Sequence, residues 1–118
     1  MTIRKVAELL NAQILCNEEN IDNEVMSACG CDLMSDALAY VKDQGMLITG
    51  LNNIQVMRTA EMLDMRCVVF VRGKRPDQMT LDVAKNAGMV VIGTNLPLYT
   101  SCGILYSSGL AGGVIENV

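Results

Sequence analysis

Two short segments of this sequence carry residue types in patterns that chemistry uses. Arg72-Gly73-Lys74-Arg75 sets three cations around one glycine. That is the composition of a clamp for phosphate or carboxylate, or of a solvated loop. Cys29-Gly30-Cys31 places two thiols two residues apart, which raises metal and redox chemistry. Zinc and iron–sulfur sites take two spaced Cys pairs or a run of four. Here Cys16, Cys67 and Cys102 lie singly, so no metal is expected, and the thiols read as small hydrophobes in a reducing compartment. Asp32, Asp36 and Asp43 form a loose acidic group. Capping and solvation account for them without acid–base work.

The chain contains no His, which removes the commonest general base and metal ligand. Ser35 therefore has no His to activate it, and no Gly-x-Ser-x-Gly elbow surrounds it. No Walker A sequence is present. The residues of an enzyme are missing, so no catalytic residue and no cofactor are assigned. The net charge of −4 argues against binding the phosphate backbone of nucleic acid, which needs clustered Lys and Arg. No apolar run approaches the ~20 residues of a membrane-spanning helix, and the first residues have no stretch of signal-peptide type. A cytoplasmic protein is expected.

Elements must hold these residues in place. Thr2 reads as the N-cap of a first helix with Ile3, Val6, Leu9 and Leu10 on one face, ended by Asn11. A short strand around Gln13 to Cys16 follows, then a polar turn, Asn17 to Asn20. The run Glu24 to Cys31 reads as extended, and Ser35 as the cap of a short helix through Tyr40. From there the pattern is regular. Three apolar runs, Met46 to Thr49, Cys67 to Val71 and Met89 to Ile92, each reach a glycine within two residues of their ends. They alternate with amphipathic helices. Asn52 or Asn53 caps one that reaches about Asp64, with Ile54, Met57, Ala60 and Met62 or Leu63 inward. Pro76 and Asp77 open the next, which Gly88 closes, and the last runs from about Pro97 to before Gly109. Continuous apolar strands between helices predict a parallel sheet. The expected fold is a small α/β domain, in two or three layers, with a mainly parallel sheet and helices on its faces. Its 118 residues suit one domain. That domain is assigned to residues 1–110, and residues 111–118 to a Gly-rich, apolar tail that frays or docks on a partner through Val114 and Ile115.

Open α/β sheets bind ligands beyond the carboxyl ends of their strands. Those ends are Thr49 to Asn53, Arg72 to Arg75, and Gly93 to Asn95. The candidate ligand contacts are Thr49, Asn52, Gly73, Arg75 and Thr94. Arg75 supplies charge, Gly73 backbone N–H groups, and the others neutral hydrogen bonds.

Four segments, Cys31 to Leu38, Leu47 to Thr49, Gly73 to Asp77 and Ala84 to Met89, together resemble the DRTGG domain. The resemblance runs from about Ile3 to Leu110. It implies a fold like the N-terminal domain of HPr kinase/phosphorylase and of Mur ligases. It also implies a regulatory module of the kind attached to phosphotransacetylase or set between CBS domains in a pyrophosphatase, which helps dimerise and senses a nucleotide. Free-standing versions occur near iron-only hydrogenase genes. The literal string Asp-Arg-Thr-Gly-Gly is absent, and Arg72-Gly73 stands where members often show a Gly pair.

The resulting expectation is a homodimeric, non-catalytic regulatory domain for a small anionic ligand such as an adenine nucleotide. The alternatives are an accessory subunit of an iron-only hydrogenase or other redox complex, and, last, an enzyme. Neither nucleic acid nor membrane is an expected partner.

Overall fold

The helices begin and end where side chains can replace missing backbone partners. In the computed structural model, which describes residues 1–35 and 45–112, α1 spans Ile3–Leu10. The Thr2 hydroxyl accepts from the Lys5 N–H, and Asn11 closes the helix in the left-handed region. Helix α2, Ile54–Met62, is capped by Asn53, whose side chain accepts from the Val56 N–H. Helix α3, Gln78–Ala87, is capped by Asp77 at its start and by Gly88 at its end. Gly88 has φ 71°, a conformation glycine adopts without a Cβ penalty. Helix α4, Leu98–Ser107, follows Pro97, whose fixed φ suits a helix entry.

Among the described residues, five strands form one sheet: β1 (Gln13–Cys16), β2 (Ser27–Gly30), β3 (Gly45–Thr49), β4 (Cys67–Phe70) and β5 (Val90–Gly93), in the order β1-β5-β4-β3-β2. The pairs β2–β3, β3–β4 and β4–β5 are parallel. The first strand joins the far edge antiparallel to β5, with an irregularity between Ile14 and Cys16. The expected α/β domain with a mainly parallel sheet is therefore present, and it has three layers.

Side-chain alternation divides the core. Met46, Ile48, Cys67, Val69, Val90 and Ile92 face α1 and α4, with Val6, Leu10 and Leu105. Leu47, Val68, Phe70 and Val91 face α2 and α3, with Val56, Met57, Ala60 and Ala84. Strands β3, β4 and β5 are buried at every position, which is why they read as unbroken apolar runs rather than alternating ones.

Two local readings differ. Val56, rather than Ile54, takes the buried place at the start of α2. Of the two alternatives at its end, Leu63 packs against the core and Met62 is turned out, 68% exposed. Met34 and Ser35 are already helical, so Ser35 sits within the first turn rather than at its cap. Asp36, Leu38, Tyr40 and Asp43, and tail residues Val114 and Ile115, lie outside the described residues. The start of the tail is seated on β2: the Ala28 N–H donates to the Ala111 carbonyl at 3.0 Å, and Gly112 bridges Ala28 in parallel.

Asp77 gives the fold a pH-dependent element. The Thr80 N–H, donating to Asp77 at 2.9 Å, holds its carboxyl below the usual carboxylate value. Its contribution is thus complete above about pH 4 and is lost as pH falls through the lowered value. Asp77→Ala is expected to lower the urea midpoint at pH 7, with the gap to wild type closing below about pH 4. A gap independent of pH would contradict this role.

Candidate functional site

The parallel register brings three strand ends into one row. Thr49 of β3 aligns with Phe70 of β4, and Phe70 with Gly93 of β5. The ladder runs one residue further, with the Val71 N–H bonded to the Thr49 carbonyl and the Thr94 N–H to the Phe70 carbonyl. Everything after that row is loop, and there the polar residues begin.

The loop after β4 is a tight turn. Arg72 and Gly73 both have positive φ, 58° and 71°, and the Lys74 N–H closes back on the Val71 carbonyl at 3.0 Å. Two successive left-handed residues are what a type I′ turn requires, and Gly73 takes the second place at no steric cost. The turn is tied sideways to the loop after β5: the Arg72 N–H donates to the Leu96 carbonyl at 2.9 Å, and the Gly73 N–H to the Thr94 carbonyl at 3.0 Å.

From this turn two guanidinium groups spread over the neighbouring strands. Arg72 lies across Gly50, just past β3, where an added Cβ would fall on the guanidinium. Arg75 lies across Gly93, at the end of β5, where an added Cβ would come within 2.7 Å of its Cζ. Arg75 is anchored by donating to the Lys74 carbonyl at 2.8 Å. The glycines are thus the surfaces on which the two cations rest.

The two threonines of the site play one part twice. The Thr49 hydroxyl accepts from the Leu51 N–H at 3.1 Å and donates to Asp32 Oδ1 at 3.0 Å. The Thr94 hydroxyl accepts from the Leu96 N–H at 3.2 Å and donates to the Leu10 carbonyl at 2.8 Å. Each fixes a strand end by bonding two residues on, and both side chains are buried.

Of the five residues expected from sequence, Thr49, Gly73 and Thr94 have their polar groups engaged within the chain. Asn52 donates to the Arg75 carbonyl at 3.1 Å, which joins the β3 loop to the β4 loop. Arg75 is the one that keeps a guanidinium at the edge. Three further residues belong to the same constellation: Arg72, Gly50 and Asp32. Asp32 Oδ1 accepts from the Gly50 N–H at 2.7 Å, and Oδ2 stands 3.7 Å from Arg72. The carboxylate thus occupies a backbone amide, a hydroxyl and a guanidinium at once, the donor set that an anionic ligand would use. Arg72 was visible in the basic run, and nothing in the spacing of Asp32 pointed across 18 residues to Gly50.

A second concavity lies between α4 and β2. It has a volume of about 320 Å³ and is lined by Ala28, Gly30, Ile48, Cys102, Tyr99 and Tyr106 among others. Tyr99 and Tyr106 are 88% and 75% exposed and stand two turns apart on one helix face. No group of three or more His, Cys, Asp or Glu suited to a metal occurs among the described residues. None of the described helices is long and apolar enough to cross a membrane.

The Thr49 bonds carry a testable load. Thr49→Val strands the Leu51 N–H and removes one donor from Asp32, with an expected loss of about 1–2 kcal/mol in urea unfolding. Thr49→Ser should restore most of it. Equal stability of wild type and the valine variant would contradict the assignment.

Comparison with known proteins bears on the whole chain. Residues 5–107 match the family model of the DRTGG domain. No curated protein matches the chain. Among solved structures, the fold is similar to the CBS and DRTGG domains of the regulatory region of Clostridium perfringens pyrophosphatase, determined in complex with an activator, diadenosine tetraphosphate. Identity is 15% and the TM-score 0.73, over 98% of this chain and 51% of that one. This chain therefore spans about half the length of that structure.

Proposed function

Because this chain belongs to the DRTGG domain family, we propose that it is a non-catalytic regulatory domain that senses an anionic small molecule, an adenine nucleotide foremost, at the carboxyl edge of its sheet. The observation that carries the reading is the pair of guanidinium groups, Arg72 over Gly50 and Arg75 over Gly93, set at one edge of a chain whose net charge is −4. Isolated cations on an acidic protein are normally dispersed or paired. Here Arg72 has a carboxylate partner at 3.7 Å, with both side chains about half exposed. Such a pair is weak in water, so a phosphate, with more charge and more acceptor oxygens, can displace Asp32 from it.

The nucleotide choice draws support from the similar pyrophosphatase region, whose structure contains a dinucleotide activator. Thr49, Asn52, Gly73 and Thr94 shape the edge in this reading, and Arg72 and Arg75 make the contact. The domain acts in the cytoplasm.

Isothermal titration with AMP, ATP and diadenosine tetraphosphate tests the reading. Heat is expected with at least one of them. Arg72→Ala and Arg75→Ala should each weaken that binding about tenfold, or ~1.4 kcal/mol, and the affinity should fall with added salt. Asp32→Asn should strengthen it by a similar factor, since it removes the competing anion. Absence of heat with every nucleotide at millimolar concentration would overturn the nucleotide reading.

The same domain is proposed to pair with a second copy of itself through the face that carries Tyr99 and Tyr106. Two large exposed aromatics flanking an apolar groove favour a protein partner there. Self-pairing is the commonest solution for a small domain. Sedimentation should give a dimer at micromolar concentration that Tyr99→Ser with Tyr106→Ser converts to monomer. A wild-type monomer, together with co-purification of a redox enzyme that the tyrosine variant loses, would favour the second reading, an accessory subunit of an iron-only hydrogenase or related complex.

A further inference from the structure

The thiols of Cys29 and Cys31 face one another at the end of β2, with their sulfurs 3.8 Å apart. Residues two apart in a strand project to the same face, which is how this separation arises. Cys31 Sγ also lies 3.5 Å from the Leu33 carbonyl. Both side chains are partly exposed, so a small reagent can reach them.

The other three cysteines are placed differently. Cys16 and Cys67 are buried, and burial pushes both thiols up, away from the reactive thiolate form. Burial raises Cys102 as well. Cys102 packs with the α1–α4 cluster, whereas Cys31 packs with the α2–α3 cluster. The backbone of Gly30 stands between, and an added Cβ there would come within 2.5 Å of Cys102 Sγ. Cys102 is thus across the sheet from Cys31.

We propose that Cys29 and Cys31 form a redox-active dithiol, a site for thiol–disulfide exchange with a low-molecular-weight disulfide such as oxidised glutathione. The thiolate of one cysteine attacks a sulfur of the incoming disulfide. A new S–S bond forms to the protein, the old one breaks, and one glutathione thiolate leaves. The second cysteine gives up its proton and attacks the protein-bound sulfur, which expels the second glutathione. The protein loses two electrons and two protons, and the small disulfide gains them as two thiols.

The local backbone suits this closure. The sulfurs must close from 3.8 Å to about 2.05 Å. Two residues of extended strand span about 6.6 Å between α-carbons, near the upper end of the range that a disulfide bridges. A bend between the two cysteines shortens that span, and Gly30, the residue between them, bends most easily. Cys31 lies past the last residue of β2, held there by its N–H bond to the Ile48 carbonyl at 3.0 Å. Asp32, the next residue, is the carboxylate that caps Gly50 and Thr49.

The full chain, kept native, is incubated with oxidised glutathione, quenched by alkylation and mapped by mass spectrometry. The expected product is one intramolecular bond between Cys29 and Cys31, with Cys16, Cys67 and Cys102 still reduced. Before oxidation, Cys29 and Cys31 should alkylate at least about tenfold faster than Cys67. Cys29→Ser should stop at a stable glutathione adduct on Cys31, and Cys102→Ser should leave closure unchanged. A wild-type chain that accumulates the mixed disulfide, pairs Cys102 instead, or protects Cys29 and Cys31 as fully as Cys67 would overturn the proposal.

Discussion

Strands β3, β4 and β5 are covered on both faces, and this constraint orders the rest of the molecule. A parallel ladder enclosed between two helix layers leaves no room for polar side chains along its length. Its backbone groups must find partners within the sheet. Met46, Ile48, Val69 and Ile92 fill one side, and Leu47, Val68, Phe70 and Val91 the other. Polar chemistry is thereby driven to the strand ends. The carboxyl ends fall in one register row, so Arg72, Arg75, Thr49 and Thr94 gather there.

That edge is held together more tightly than a set of turns requires. The left-handed pair Arg72-Gly73 lends its two N–H groups to the loop after β5. Asn52 ties the loop after β3 to Arg75. Asp32 reaches in from the end of β2 and closes the row. The carboxylate behaves as an internal anion. Its bond to the Gly50 N–H uses a donor that would otherwise face the loop unpaired, and its weak pairing with Arg72 leaves most of that charge available. In the proposed regulatory role, Asp32 is the internal anion that an incoming phosphate displaces.

Much of this was legible from the residues. Continuous apolar runs bounded by glycines gave the parallel strands, because two-sided burial erases alternation. Thr2, Asn53, Asp77 and Gly88 announced the helix ends through capping chemistry. The antiparallel placement of β1 was not legible, since a strand of four residues fixes neither its partner nor its direction. Periodicity left Met62 and Leu63 as alternatives at the end of α2, and only packing selects Leu63. In the site, Arg75 and the loop positions were legible from strand-end logic. The engagement of the Thr49 and Thr94 hydroxyls was not, because their partners, Asp32 and Leu10, are remote in sequence. The rest of Arg72 on Gly50 is likewise a tertiary fact, although a glycine directly after a buried strand hints that something passes close.

In the proposed function an anion binds where Asp32 now lies. Backbone amide shifts in a nitrogen–proton correlation spectrum, followed during titration with ATP, test it most directly. With an anion bound there, the largest movements are expected on Gly50, Arg72, Gly73 and Asn95, saturating together. Movements confined to the α4 face around Tyr99 and Tyr106, with Gly50 and Arg72 unmoved, would contradict it.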